Sequence, residues 1–166
     1  MPRTARTPRS NTLTLVGTVA TLALVSACGA EEPASTAQPM TTQDVAALFD
    51  TWNAALATGD PAVVAARYAP DAVLLPTVSD EVRDTPELIE KYFTEFLAQS
   101  PVGTIDQSTV RVLDDGVATD VGVYTFALTG DDGATQQVQA RYSFVYELVD
   151  GEWLIAHHHS SAMPEA

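Results

Sequence analysis

Past Pro101 the apolar residues stop recurring every three or four positions and begin to alternate. That switch splits the chain into a helical half and a strand half, and it limits the fold more than any single motif. Before it, Val45, Leu48, Phe49, Trp52 and Leu56 follow the spacing of one buried helical face, so Thr41–Thr58 is expected to be a helix. Thr41 with Asp44 resembles a capping box, with Asp in place of the usual Glu. Asp60 and Pro61 start a second, short helix, expected to end near Tyr68 before Pro70. Ala72–Pro76 reads as a short strand. Thr85 caps and Pro86 opens the clearest helix, in which Leu88/Ile89, Tyr92/Phe93 and Phe96/Leu97 repeat every four residues. After it, strands are expected at about Ile105–Leu113, Ala118–Thr129, Thr135–Leu148 and Trp153–Ser161. Asp114-Asp115-Gly116, Gly130–Gly133 and Asp150-Gly151 separate them as turns. Helices first and a meander after predict an α+β fold, with helices packed on one face of a curved antiparallel sheet.

The last strand carries His157, His158 and His159, the only histidines of the chain. Counting back from a two-residue turn at Asp150-Gly151 pairs Leu148 with Trp153, Tyr146 with Ile155, Phe144 with His157 and Tyr142 with His159. Side chains alternate across a strand, so these eight share one face. The other face then pairs Glu147 with Leu154, Val145 with Ala156, Ser143 with His158 and Arg141 with Ser160. One bulge would exchange the faces beyond it. His157 and His159, two positions apart, can reach one ion, but zinc needs at least a third protein ligand. No further histidine exists to supply it, so no metal is expected. A purification tag is the poorer explanation, because the flanking residues continue the strand pattern.

The start of the chain reads differently. Arg3, Arg6 and Arg9 precede an apolar run over residues 12–27 that ends in "LVSAC". A basic head, a short apolar middle and small residues before Cys28 resemble a bacterial lipoprotein signal. The run is short for a spanning helix, which needs about 20 apolar residues. The expected organisation is a signal peptide at 1–27, a lipid-bearing Cys28 with a tether to residue 40, and a domain at 41–166. The chain would then be exported and anchored to the cell membrane through lipid on Cys28. Loss of three arginines leaves five basic residues against 22 acids, a net charge of −17 compared with −14 for the whole chain. A domain this acidic is not built for nucleic acid, whose phosphates need a basic patch.

"GDPAVVAARYAPDAVLLP", "YFTEFLAQSP" and "DGEWLIAHHHSSAMPE", together with Trp52 in the first helix, resemble the nuclear transport factor 2-like superfamily. Within it the chain is most similar to the association (hub) domain of calcium/calmodulin-dependent protein kinase II. It also resembles bacterial stand-alone homologues of the SgcJ/EcaC or SnoaL-like type. The resemblance covers about Thr42 to Pro164. It implies a cone, a strongly bent sheet wrapped over helices around a pocket, and homodimers or larger rings formed by sheet-to-sheet pairing. It implies no kinase activity: the chain lacks a glycine-rich phosphate loop and a catalytic-loop "HRD". The hub's pocket carries over in part. Ser160 stands where the hub has an arginine, and two other polar pocket positions fall on Phe144 and Val64.

Two functions follow as expectations. In the first, a lipid-tethered, homo-oligomeric module binds a small, anionic ligand through Trp52, Arg141, His157, His159 and Ser160, with Arg141 supplying positive charge from the neighbouring strand. Arg141 paired with Glu147 on a solvated face is the plain alternative. In the second, an enzyme of the polyketide-cyclase or ketosteroid-isomerase type uses His157 or His159 as base and Tyr142 or Tyr124 as donor. Asp71 is a further candidate acid, more simply read as a turn residue. No nucleotide fingerprint and no redox cysteine pair calls for a cofactor.

Overall fold

The computed structural model describes residues 39–165 apart from Val78 and Asp131. The expected signal peptide, the expected lipid-bearing Cys28 and most of the expected tether lie outside the described residues. The elements run α1 (Thr42–Leu56), α2 (Pro61–Ala65), β1 (Tyr68–Leu75), α3 (Pro86–Phe96), β2 (Val102–Asp114), β3 (Val117–Thr129), β4 (Thr135–Val149) and β5 (Glu152–Ala162). A single 3₁₀ turn, Leu97–Gln99, extends α3.

The helix starts are as the sequence dictates. Thr41 accepts from the Asp44 N–H while the Asp44 carboxylate accepts from the Thr41 N–H, a full capping box. Asp60 and Thr85 cap α2 and α3, each followed by proline at the first helical position. The second helix is shorter than the sequence suggests, and β1 begins already at Tyr68. Pro70 does not stop that strand because β1 is an edge strand and its register shifts between Tyr68 and Val73. Pro70 and Asp71 are exposed in that irregular stretch.

The sheet order is β1-β5-β4-β3-β2, with β1 parallel to β5 and the remaining neighbours antiparallel. The sheet is therefore mixed, and its four long strands form the expected meander. Its inner face carries Tyr124, Phe126, Tyr142, Phe144, Tyr146 and Ile155, all buried against Phe49, Trp52 and Phe93 of the helices. Asn53 fixes α1 to β2: its amide donates to the Gly103 carbonyl at 3.0 Å and accepts from the Gly103 N–H at 2.9 Å. A side chain at Gly103 would meet Phe49, Phe126 and Asn53 at 3.0–3.1 Å, so glycine lets the helix lie close to the strand.

The expected turn at Asp150-Gly151 is present, with φ of 50° and 87°, the two left-handed residues of a tight hairpin. From it the pairing runs as counted, through Leu148–Trp153 and Glu147–Leu154 to Tyr146–Ile155. There the register shifts: Val145 pairs with His157, and Ala156 is left over as a bulge. Beyond it every expected partner is displaced by one. Phe144 faces His158, Ser143 faces His159, Tyr142 faces Ser160 and Arg141 faces Ser161. This corrects the sequence-based register: His158 and Ser160 turn inward, while His157 and His159 turn outward with Arg141.

Candidate functional site

The bent sheet and the helices do not close on each other completely. A cavity of about 350 Å³ remains between α1, α3 and the inner face of β3–β5. Trp52, His158, Tyr124 and Ser160 bring it polar atoms, while Phe93, Phe96, Phe126 and Leu128 supply apolar wall. The exposed Gln99 and Gln136 also line it.

His158 is the best-held group in this cavity and is 4% exposed. Its ring stacks on Phe144 with centroids 4.1 Å apart, and Trp52 packs edge-on at 5.4 Å. The Tyr68 hydroxyl lies 2.9 Å from His158 Nδ1. Burial, with smaller contributions from His157 and His159, pushes its pKa down to about 3. The ring is therefore neutral across the physiological range. Burial also raises the pKa of the Tyr68 phenol well above its ordinary value, so Tyr68 keeps its proton. Two buried nitrogens, His158 Nε2 and Trp52 Nε1, have no hydrogen-bond partner among the described residues. The Trp52 indole N–H offsets a small part of that rise in the Tyr68 pKa.

A second polar group in the cavity is internally satisfied. Tyr124 donates to Ser160 Oγ at 2.6 Å, and Thr77 shares a short hydrogen bond with the same hydroxyl. Desolvation raises the Tyr124 pKa, so it acts only as a protonated phenol. Tyr142 stacks on Tyr124 with centroids 4.9 Å apart but does not reach the cavity. Its hydroxyl donates to Asp120 at 3.0 Å, beside Ser108, which donates to the same carboxylate oxygen at 2.5 Å. Asp120 is 1% exposed, and nothing in the sequence pattern singled it out.

The remaining candidates lie on the outer face. Arg141, Ser143, His159 and Ser161 border a shallow depression there. Arg141 donates to the Ala162 carbonyl at 3.4 Å and makes no ion pair with Glu147. His157 is half-buried, which lowers its pKa, as does the neighbouring His159. Of the five ligand-binding candidates, the cavity thus brings together Trp52 and Ser160. Arg141, His157 and His159 gather on the opposite side of the sheet. Sequence reasoning missed His158 because the bulge at Ala156 has no sequence mark stronger than a small residue among β-formers, and Tyr68 because it was expected at the end of the second helix and instead opens β1.

Below pH 6.5 the unfolded chain takes up a proton that folded His158 refuses until about pH 3. The unfolded state then binds more protons, so stability falls as pH drops through that window, by a few kcal/mol at its acid end. Urea unfolding at pH 7 and pH 4.5 should show His158→Phe losing clearly less stability on acidification than the parent. Equal losses would mean that His158 is not the neutral buried group.

The sequence profile of the calcium/calmodulin dependent protein kinase II association domain matches residues 41–164, nearly the whole described chain. The chain belongs to this association-domain family. Among solved structures, an association-domain protein from Xanthomonas campestris is 63% identical, with a TM-score of 0.75; the match covers 76% of this chain and 91% of that one. The association domain of the kinase from C. elegans is 17% identical with a TM-score of 0.60, covering 72% and 94%. A nuclear transport factor 2-like protein from Salmonella enterica is 16% identical with a TM-score of 0.64, covering 75% and 92%. The last two share the fold. No curated protein matches the sequence.

Proposed function

We propose that this chain is a lipid-tethered association-type domain that homo-oligomerises and holds a small molecule in its cone cavity. The observation that carries the ligand reading is the largely apolar 350 Å³ cavity lined by Trp52, Phe93, Phe126, Tyr124, His158 and Ser160. Small-molecule sites are concave and mostly apolar with a few polar groups, as this cavity is. Family membership supports self-association. So does the outer sheet face, which no other described element covers. It carries Val121, Val123 and Val145, with Val121 38% exposed. Arg111 and Arg141 offset part of the charge of Asp106, Asp114, Glu147 and Glu152 on that face, which lessens the repulsion between copies meeting there.

The isomerase-type reading draws on one observation, a histidine with a displaced pKa inside an apolar pocket. The displacement is too large for that role. A general base works best with a pKa near the operating pH, and His158 lies far below it. His158 is therefore read as a hydrogen-bonding group.

Native mass spectrometry of the domain from Met40 onward tests both parts. The expected result is a dimer or larger ring with a retained organic mass. Val123→Arg should convert it to monomers, and a bare monomer from the parent would refute the assembly reading. The tether is tested separately: Cys28→Ala should move the expressed chain from the membrane to the soluble fraction.

A further inference from the structure

We propose that two copies pair through their outer sheet faces about a two-fold axis that crosses β4 beside Phe144, so that Arg141 of each copy binds the partner's Glu147. This rests on the self-association reading above and adds the contact that fixes how the copies are placed.

The register of β4 defines that face. Its pairing with β3 runs from Val117–Glu147 to Thr129–Thr135 without a shift, so its side chains alternate throughout. Tyr142, Phe144 and Tyr146 are buried on the inner side, which leaves Arg141, Ser143, Val145 and Glu147 pointing outward. Arg141 and Glu147 are exposed, and neither has an ion-pair partner among the described residues. Six residues of strand hold them about 20 Å apart, too far to bind each other within one chain.

A face with opposite charges at its two ends is complementary to its own reversed copy. In a two-fold interface, residue i meets j and j meets i. Sheets packed face to face keep their strands within about 30° of each other, so the axis lies either along the strands or across them. An axis along the strands keeps each level of the face opposite the same level. It would gather Asp114, Glu147 and Glu152 of both copies at one end, because Asp114 and Glu147 both stand beside Val117 and Glu152 lies just beyond. Like charges brought together in this way oppose association. An axis across the strands, midway between Arg141 and Glu147, does the reverse and forms their ion pair twice per dimer.

The same axis places the neighbouring strands through their register. Val123 stands beside Arg141 and Val117 beside Glu147, so Val123 comes over the partner's Val117. Gln107 and Asp114 pair with those two valines, so the Gln107 amide meets the partner's Asp114 carboxylate. The shallow depression bordered by Arg141, Ser143, His159 and Ser161 receives the partner's Glu147 side chain.

The domain from Met40 onward suits the test. It contains every core residue, Val45 to Ile155, and 91% of the crystallised Xanthomonas chain lies within the match. Sedimentation equilibrium at pH 7 compares the parent with Arg141→Glu, Glu147→Arg and the double variant, each checked for folding by far-UV circular dichroism. Either single change sets like charges against each other across the interface and should weaken association by about tenfold or more. The double variant restores both ion pairs with the signs exchanged and should return to within about threefold of the parent. Within one chain the two positions lie well beyond the Debye length of about 8 Å, so a rescue acts between copies. The single changes also move the net charge in opposite directions, so a bulk-charge effect would weaken one assembly and strengthen the other. Weakening without rescue, no weakening, or opposite effects of the two single changes would overturn this placement and leave self-association standing. A monomeric parent would overturn both.

Discussion

Gly122→Ala should leave the domain largely unfolded at temperatures where the parent is stable. A β-carbon built on Gly122 would sit 1.8 Å from the Gln107 carbonyl oxygen and 2.7 Å from its carbon. Those are backbone atoms of the paired strand, and no rotamer change relieves them. Gly122 lies beside the irregularity in β2, where the register shifts between Ile105 and Gln107. The β2 backbone turns there toward the Cα of Gly122, so bending and glycine are one feature. Straightening β2 would also pull Gly103 from its two bonds with Asn53. The cost should exceed the roughly 1–3 kcal/mol of ordinary overpacking, against a total stability of about 5–15 kcal/mol. Urea unfolding followed by far-UV circular dichroism measures it. A midpoint close to the parent's would mean that the bend does not depend on this residue.

Trp52→Ala is the second large effect, and it joins stability to the cavity. Trp52 is 2% exposed and meets the rings of Phe49, Phe93, Phe126, Phe144 and His158 at 5.4–6.3 Å. Removing a buried tryptophan side chain costs about 3–5 kcal/mol. Here the void would merge with the existing cavity, so the neighbours have little to collapse onto. Trp52→Phe keeps most of the packing and removes the indole N–H, and should lose much less. If a thermal melt shows the alanine variant within a few degrees of the parent, the aromatic cluster is not the keystone of the core.

The helices, strands and turns were legible because each rests on local chemistry: Thr41, Asp60 and Thr85 as caps, Pro61 and Pro86 behind them, and Asp150-Gly151 at positive φ. The family was legible from the order of those elements and the closing motif. Half of the site was not. Trp52 and Ser160 reach the cavity, but His158 replaces His157 and His159 there because Ala156 bulges. A bulge is decided by how two strands fit a curved sheet, and period-two counting cannot detect it. Asp120 escaped for a similar reason, since its partners Ser108 and Tyr142 come from separate strands.

The three consecutive histidines give the last strand an unusual tolerance to a change of reading frame. In most strands a slip by one residue turns the core outward. If the Ala156 bulge were ironed out, His157 would take the place opposite Phe144, and an imidazole would still lie at the cavity wall. The same slip would put His159 opposite Tyr142 and expel Ser160 from its contacts with Tyr124 and Thr77. The triplet is thus degenerate as an address for the imidazole, and the small serine after it tells one frame from the other.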